Sequence, residues 1–214
     1  MPGSLLTLVG AAVTAMAGLG YALATLRGRV QPNRVTWFVS GLAAWIAVAG
    51  QVTQGVVTAA VLTGAVAVVP TAVVAASFAQ RDTSWRIGRL DVVCLALAGA
   101  AIAVLVRSAG DLAIAMGIAA RGLGAVPTVV KAWRAPRTEQ TTVYAAGVFG
   151  ALCTLATVHP WTFRTVGFAL YFLAFCTVMT VLVRSGQVRN GTSRSGVVAS
   201  ASATASLAAA SSTG

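Results

Sequence analysis

Charged residues are scarce in this sequence, and acidic residues are the scarcest of all. Only 9% of its 214 residues are charged, with four Asp and Glu against 15 Lys and Arg. A soluble domain carries about 25% charged residues, so a soluble globule of this composition would have a largely apolar surface. Hydrophobic residues make up 57% of the chain, and its mean hydropathy is +0.85. This composition predicts an integral membrane protein.

Residues that commonly build catalytic and metal sites are equally few. The chain has one histidine and three cysteines, and each cysteine lies within an apolar run without a CxxC motif. The four carboxylates are not paired at catalytic spacing, which leaves a general acid–base mechanism without its parts. We therefore predict that the protein is not an enzyme, and we expect neither a metal nor a cofactor.

The excess of basic residues does not indicate a nucleic-acid partner. The arginines stand singly between apolar runs, as do the flanking charges that orient membrane spans, and they form no basic patch. The expected partner is membrane lipid, and the sequence leaves homo-oligomerisation open.

Apolar segments follow one another along the chain. There are seven: Leu5–Leu26, Trp37–Val52, Val56–Phe78, Leu90–Val106, Leu112–Val130, Thr141–Val158 and Phe163–Val183. A helix needs about 20 residues to cross the hydrocarbon core, and these runs lack the period-two alternation of a membrane β-barrel. We therefore predict an all-α integral membrane protein with seven transmembrane helices. Aromatic residues near the ends of spans, such as Trp37, are expected to be interface anchors.

The distribution of basic residues predicts the orientation in the membrane. Twelve fall on one side: Arg27, Arg29, Arg34, Arg81, Arg86, Arg89, Lys131, Arg134, Arg137, Arg184, Arg189 and Arg194. The opposite side has only Arg107 and Arg164. Because cytoplasmic loops are enriched in Lys and Arg, we expect a multi-pass protein of the inner or plasma membrane, with its N-terminus outside and its C-terminus in the cytoplasm. The Ser-, Ala- and Gly-rich segment 185–214 is predicted to be a disordered cytoplasmic tail.

A weak internal repeat divides the spans into three, one and three. A shift of 107 residues places Gly10 on Gly117, Arg27 on Arg134, Trp37 on Tyr144 and Ala44 on Ala151. Each half then consists of an apolar span, a basic turn, and a second, short span that begins near an aromatic residue. Two parallel halves need a linker span between them. We therefore predict two parallel three-helix repeats, over 1–78 and 111–184, with a linker helix within 79–110.

The segment AVPTVVKAWRAPRTEQTTVY resembles the PQ-loop signature, in which a helix with Pro-Gln leads into a short basic loop. The segment LRGRVQPNRVTWFVSGLAAWIAVAGQ is similar to the corresponding loop and second helix of bacterial relatives. Over residues 5–185 the chain thus resembles PQ-loop and SWEET-like membrane proteins, and the resemblance implies the three-one-three fold. Thr128 stands where the motif has glutamine, and the membrane-embedded asparagines that SWEET proteins use on sugar have no counterpart.

Arg121 is the first candidate for substrate binding, because it lies within an apolar span. An arginine in the middle of a membrane costs roughly 2.5–3.5 kcal/mol on insertion scales, so it usually faces a cavity or a partner. One hypothesis is that Arg121 binds an anion or a polar solute in a central pathway. The other gives it a structural partner, such as a helix C-terminus, Gln51 or Gln54.

Trp45, Tyr171 and Thr128 are the further candidates for substrate binding. The two aromatic rings could stack on a sugar-sized solute, and Thr128 occupies the position of the motif glutamine. Pro127 and Pro70 lie within spans and remove a backbone donor there, so each can serve as a hinge or as a kink used only for packing.

These features predict a carrier for a small polar solute, a sugar or an amino acid, which works by alternating access between two three-helix halves. The alternative is a non-transporting scaffold or sensor with the same fold and a filled cavity. A polar cavity between the halves that contains Arg121, Trp45 and Tyr171 favours the carrier. A tightly packed, dry interface favours the alternative.

Overall fold

The fold is helical throughout the part of the chain that can be described. The structure is a computed structural model that describes residues 2–30, 32, 34–79, 89–108, 111–136 and 139–211, and these residues form no strand. The helices are α1 (Pro2–Leu26), α2 (Arg34–Thr53), α3 (Val57–Phe78), α4 (Arg89–Ser108), α5 (Asp111–Arg134), α6 (Thr141–Thr157) and α7 (Phe163–Ser211). The predicted all-α class is confirmed.

Several of these helices are long and apolar enough to cross a membrane. Within the described residues there are five such segments: Leu5–Leu26, Thr36–Thr53, Val57–Phe78, Ile114–Arg134 and Phe163–Val188. The apolar helix Thr141–Thr157 is shorter than these. Large apolar side chains also face outward, including Leu5 at 64% and Met16 at 63% exposure. Such a surface suits contact with lipid, and the chain is a membrane protein by this measure.

Two glycines end the first two helices in the same way. Gly28 has a positive φ of 70°, and the N–H of Arg29 donates to Ala24 O at 2.9 Å. Gly55 has a φ of 73°, and the N–H of the residue after it, Val56, donates to Gln51 O at 2.8 Å at the end of α2. This left-handed geometry is open to glycine without a steric penalty, and it satisfies carbonyls that the helix end would leave free.

The helices have a regular set of neighbours within the described residues. Helix α3 lies between α1 and α2, whose backbones do not come close to each other, and α7 lies between α5 and α6 in the same manner. Helix α1 packs against α6, and α2 packs against α5. Helix α4 packs against α5 and α2.

Small residues allow α1 to approach α6 closely, and α5 to approach α2. A Cβ atom added to Gly10 of α1 would lie 2.6 Å from the Cβ of Cys153 and 3.1 Å from the Cα of Gly150, both on α6. A Cβ added to Gly117 of α5 would lie 3.1 Å from the carbonyl oxygen of Ala43 on α2. Close backbone approach of this kind is a main source of helix association in lipid.

The last helix is longer than the sequence predicted. The apolar run was expected to end at Val183 and to give way to a disordered tail, but α7 extends to Ser211. Alanine, which is frequent after Arg189, has the highest helix propensity. Three of the basic residues used for the orientation, Arg81, Arg86 and Arg137, lie outside the described residues.

Candidate functional site

Arg121 lies in the interior of the helix bundle. The side chain is only 7% exposed, and its Nη1 atom donates a hydrogen bond to the carbonyl oxygen of Ser40 on α2 at 2.8 Å. The guanidinium carbon also lies 5.8 Å from the centre of the Phe172 ring on α7, where the face of the ring attracts a cation. Arg121 forms no ion pair with a carboxylate in the described part of the chain. Its charge is thus only partly compensated.

Two small cavities flank the Arg121 side chain. Their volumes are about 60 Å³ and about 40 Å³, which is room for only a few water molecules. Four residues line both cavities: Trp37, Arg121, Tyr144 and Phe175. Side chains of α1, α2, α3, α5, α6 and α7 contribute to the walls, so the site lies where all of these helices meet.

Two polar atoms at the site have no hydrogen-bond partner. They are Nε of Arg121 and the hydroxyl oxygen of Tyr171; both are shielded from solvent, and the two side chains lie against each other beside the cavity. Tyr171 and Arg121 line the smaller cavity together. Buried polar atoms are almost always hydrogen-bonded in native proteins, so two unpaired atoms beside one cavity indicate a place for a polar ligand or for water.

The structure brings together three of the four predicted binding residues. Arg121, Tyr171 and Thr128 line the smaller cavity. Trp45 lies elsewhere, with 45% of its surface exposed, and its Nε1 atom donates to the hydroxyl of Thr71 at 3.2 Å. Trp45 therefore lies on the outer surface of α2 and α3.

The two predicted hinge prolines differ in position. Pro70 is buried within α3 and lines the larger cavity. Pro127 is half-buried within α5, six residues after Arg121. The alternative partner proposed for Arg121, Gln51, lies elsewhere: its Nε2 atom donates to the carbonyl oxygen of Arg164 at 3.4 Å.

Trp37 and Tyr144 belong to the site, although neither was among the predicted binding residues. Trp37 was expected to anchor the membrane interface, but it lines both cavities and its ring lies 5.0 Å from that of Tyr21. Tyr144 also lines both. The signal that could have found them was the repeat, which aligns these two aromatic residues with each other.

A buried carboxylate lies next to the site, where it is bonded to Tyr144, and it was also missed. Glu139 is 4% exposed and accepts a hydrogen bond from the hydroxyl of Tyr144 at 3.0 Å. Gln187 of α7 donates to the carbonyl oxygens of Pro136 and Glu139, each at 3.3 Å. A Cβ added to Gly186 would lie 2.6 Å from Pro136 Cγ. The loop between α5 and α6 is thus held tightly against α7.

An apolar groove runs along α5 and α7 beside the site. Its volume is about 340 Å³, and most of its lining is aliphatic, with Val126, Val129 and Val178 among its residues. Ala125, Tyr171 and Phe175 line both this groove and the smaller cavity, so the two spaces adjoin at these residues.

The described residues contain no group of three or more His, Cys, Asp or Glu side chains that could hold a metal ion. No family model, no curated protein and no solved structure matches the chain. The geometry of the site therefore carries the functional interpretation.

Proposed function

We propose that the protein is a membrane carrier for a small polar solute, built from two parallel three-helix halves and one linker helix. In this proposal α1 to α3 form the first half, α4 is the linker, and α5 to α7 form the second half. The arrangement has seven spans and is of the PQ-loop and SWEET-like kind. The N-terminus is outside and the C-terminus is in the cytoplasm, as the basic residues predict.

The pattern of helix neighbours supports the two halves. Exchanging α1, α2 and α3 for α5, α6 and α7 maps every contacting pair that does not involve α4 onto another contacting pair. The contact of α1 with α6 becomes that of α5 with α2, and the contact of α3 with α7 maps onto itself. A two-fold axis that relates parallel halves produces this pattern.

Single residues follow the same symmetry. The shift of 107 residues that carries Gly10 to Gly117 also carries Ala43 to Gly150, so the two close helix contacts are equivalent. It carries Thr14 to Arg121 as well. The side chains of Thr14 and Arg121 each bond to a backbone carbonyl on the second helix of the other half.

The two bonds differ by one residue in register. The hydroxyl of Thr14 shares its proton between Gly10 O of its own helix at 2.8 Å and Ala146 O of α6 at 3.2 Å. Arg121 donates to Ser40 O at 2.8 Å, where the shift would bring Ser40 to Gly147. Two corresponding polar side chains therefore bridge the halves beside the cavities.

The buried, incompletely paired Arg121 between the two halves is the observation that carries the proposal. An arginine in the bilayer interior costs roughly 2.5–3.5 kcal/mol on insertion scales, and a bond to one carbonyl does not offset that cost in full. A site for a solute accounts for its position and for the unpaired Nε and Tyr171 hydroxyl. Because the cavities are small, the halves must separate to admit the solute, with Pro127 and Pro70 as hinges.

The small size of the cavities also favours a second candidate function. A scaffold or sensor with the same fold would keep the space between its halves filled, as the aromatic side chains around Arg121 largely do. In that case Arg121 is a structural bridge to Ser40, and the protein moves no solute.

Uptake by proteoliposomes distinguishes the two functions. The purified protein is reconstituted and tested with radiolabelled sugars, amino acids and small organic acids, beside liposomes without protein. We expect uptake of at least one class, its loss in Arg121→Leu, and unchanged uptake in Arg107→Leu, a matched control at the exposed end of α4. Folded protein that takes up none of these solutes would contradict the carrier.

A further inference from the structure

The free edge of the Arg121 guanidinium indicates which solute the site takes. Nη1 is occupied by Ser40, while Nε is buried without a hydrogen-bond partner. Since Nη1 lies on the Cδ side of the guanidinium, the remaining edge consists of Nε and Nη2. That edge matches the two oxygens of a carboxylate. We propose that Arg121 binds the carboxylate of a short monocarboxylate solute, an inference that rests on the proposed carrier function and deepens it.

The charge of the site fits a monoanion. Arg121 is the only charged residue that lines either cavity in the described part of the chain. A neutral sugar would leave the guanidinium charge uncompensated in apolar surroundings, and a phosphate dianion would leave an excess negative charge there. An amino acid also brings an ammonium group, and the nearby carboxylate of Glu139 lines neither cavity and already accepts the hydroxyl of Tyr144. A single carboxylate compensates the charge of Arg121 and leaves none unpaired.

The rest of the site fits a short and mainly apolar solute. Tyr171 lines the smaller cavity and its hydroxyl faces Arg121, so it can donate a second hydrogen bond to a carboxylate bound there. Phe172 and Phe175 form apolar walls beside Arg121. Cavities of about 60 Å³ and about 40 Å³ leave space for only a few heavy atoms. The solute therefore carries one carboxylate on a chain of few carbons.

A fatty acid of the bilayer carries the same carboxylate, and the groove along α5 and α7 passes beside the site. Ala125, Tyr171 and Phe175 line both the groove and the smaller cavity. The small volumes of the two cavities beside Arg121 favour a short free solute over a long acyl chain. A lipid competitor in the experiment separates the two sources.

Equilibrium dialysis of the purified protein in nanodiscs measures binding separately from transport. The probe is radiolabelled lactate, and lactamide is the neutral competitor of the same shape. We expect lactate but not lactamide to displace the probe. Arg121→Gln should weaken lactate binding at least about tenfold, because it removes hydrogen bonds from a charged donor. Tyr171→Phe should weaken it about threefold, since it removes one hydroxyl donor. Arg107→Gln should leave it unchanged.

Several results would overturn the carboxylate site. They are an absence of lactate binding to the wild-type protein, equal displacement by lactamide, unchanged affinity in Arg121→Gln, and displacement by chloride or phosphate as effective as that by lactate. Decanoate that competes at far lower concentrations than lactate would assign the site to a membrane lipid and overturn the short solute. If Arg121→Gln does not fold, the wild-type comparison of lactate with lactamide decides.

The carrier function fails in a different way. Lactate binding that depends on Arg121, combined with no uptake of lactate, sugars or amino acids by proteoliposomes, supports the carboxylate site and contradicts transport. Uptake of a sugar or an amino acid without any lactate binding supports transport and contradicts the carboxylate site.

Discussion

The close approach of α1 to α6 at Gly10 leads to a quantitative prediction about stability. An alanine Cβ at this position would lie 2.6 Å from the Cβ of Cys153, whereas ordinary contacts begin at 3.4 Å. The two helices must then separate locally by roughly 0.8 Å, the difference between these distances. Overpacking of this kind costs about 1–3 kcal/mol of unfolding free energy. We expect Gly10→Ala to destabilise the protein by an amount in this range.

Gly20→Ala is the matched control on the same helix. No heavy atom lies within 4 Å of the Cβ that this substitution adds. Both variants gain the same helix propensity, about 0.8–1.0 kcal/mol in favour of alanine, so the difference between them isolates the packing cost. Gly117→Ala should fall between them. Its Cβ would meet Ala43 O at 3.1 Å, a contact that a shift of a few tenths of an ångström relieves.

Unfolding in mixed micelles by increasing SDS, followed by the fluorescence of the five tryptophans, measures these free energies. The expected order of stability is Gly20→Ala, then Gly117→Ala, then Gly10→Ala. Equal stability of Gly10→Ala and Gly20→Ala would refute the close contact between α1 and α6. A destabilised Gly20→Ala would refute the outward position of that residue.

Three further predictions concern other parts of the protein. Tyr144→Phe removes the hydroxyl that donates to the buried Glu139 carboxylate, so a loss of about 1.5–3 kcal/mol is expected in the same unfolding assay. Gly186→Ala brings a Cβ to 2.6 Å from Pro136 Cγ and should lift the loop between α5 and α6, which faster trypsin cleavage in that loop would reveal. Trp45→Phe should leave solute uptake unchanged because the side chain lies on the outer surface. A large loss of uptake would contradict this position and indicate that Trp45 contacts the solute.

The positions of the helices could be predicted from hydropathy because long apolar runs are a strong signal. The run Leu5–Leu26 coincides with the first candidate span, and Val56–Phe78 differs from the third by one residue. The end of α7 could not be predicted in this way. Hydropathy locates the apolar part of the helix, which ends at Val188, whereas the helix itself continues into the polar segment that follows. The resemblance to PQ-loop proteins stays a prediction.

The faces of the helices were much harder to predict, as two tryptophans of α2 illustrate. Trp45 was expected in the site and lies on the outer surface, whereas Trp37 was expected at the interface and lines both cavities. Lipid and protein interior are both apolar, so a membrane helix lacks the polar stripe that identifies the outer face of a soluble one. Arg121 could be predicted because its charge stands out against any apolar background.

The loop contacts at one end of the site could not be derived from the sequence. Glu139 is an acidic residue in a short loop, where solvation is the usual expectation, yet it is buried against Tyr144. Its position depends on Gln187, more than 40 residues further along the chain. Only the packing of α6 against α7 brings these residues together.

The correspondence of Thr14 with Arg121 has an electrical consequence in the proposed carrier. One half carries a neutral hydroxyl on the axis and the other carries a full positive charge. Motion of α5 along the membrane normal therefore moves a charge through the transmembrane voltage, which is worth about 2.3 kcal/mol per 100 mV for a complete crossing. A bound carboxylate cancels that charge. Voltage would then act on the return of the empty carrier, while the loaded carrier crosses as a neutral pair.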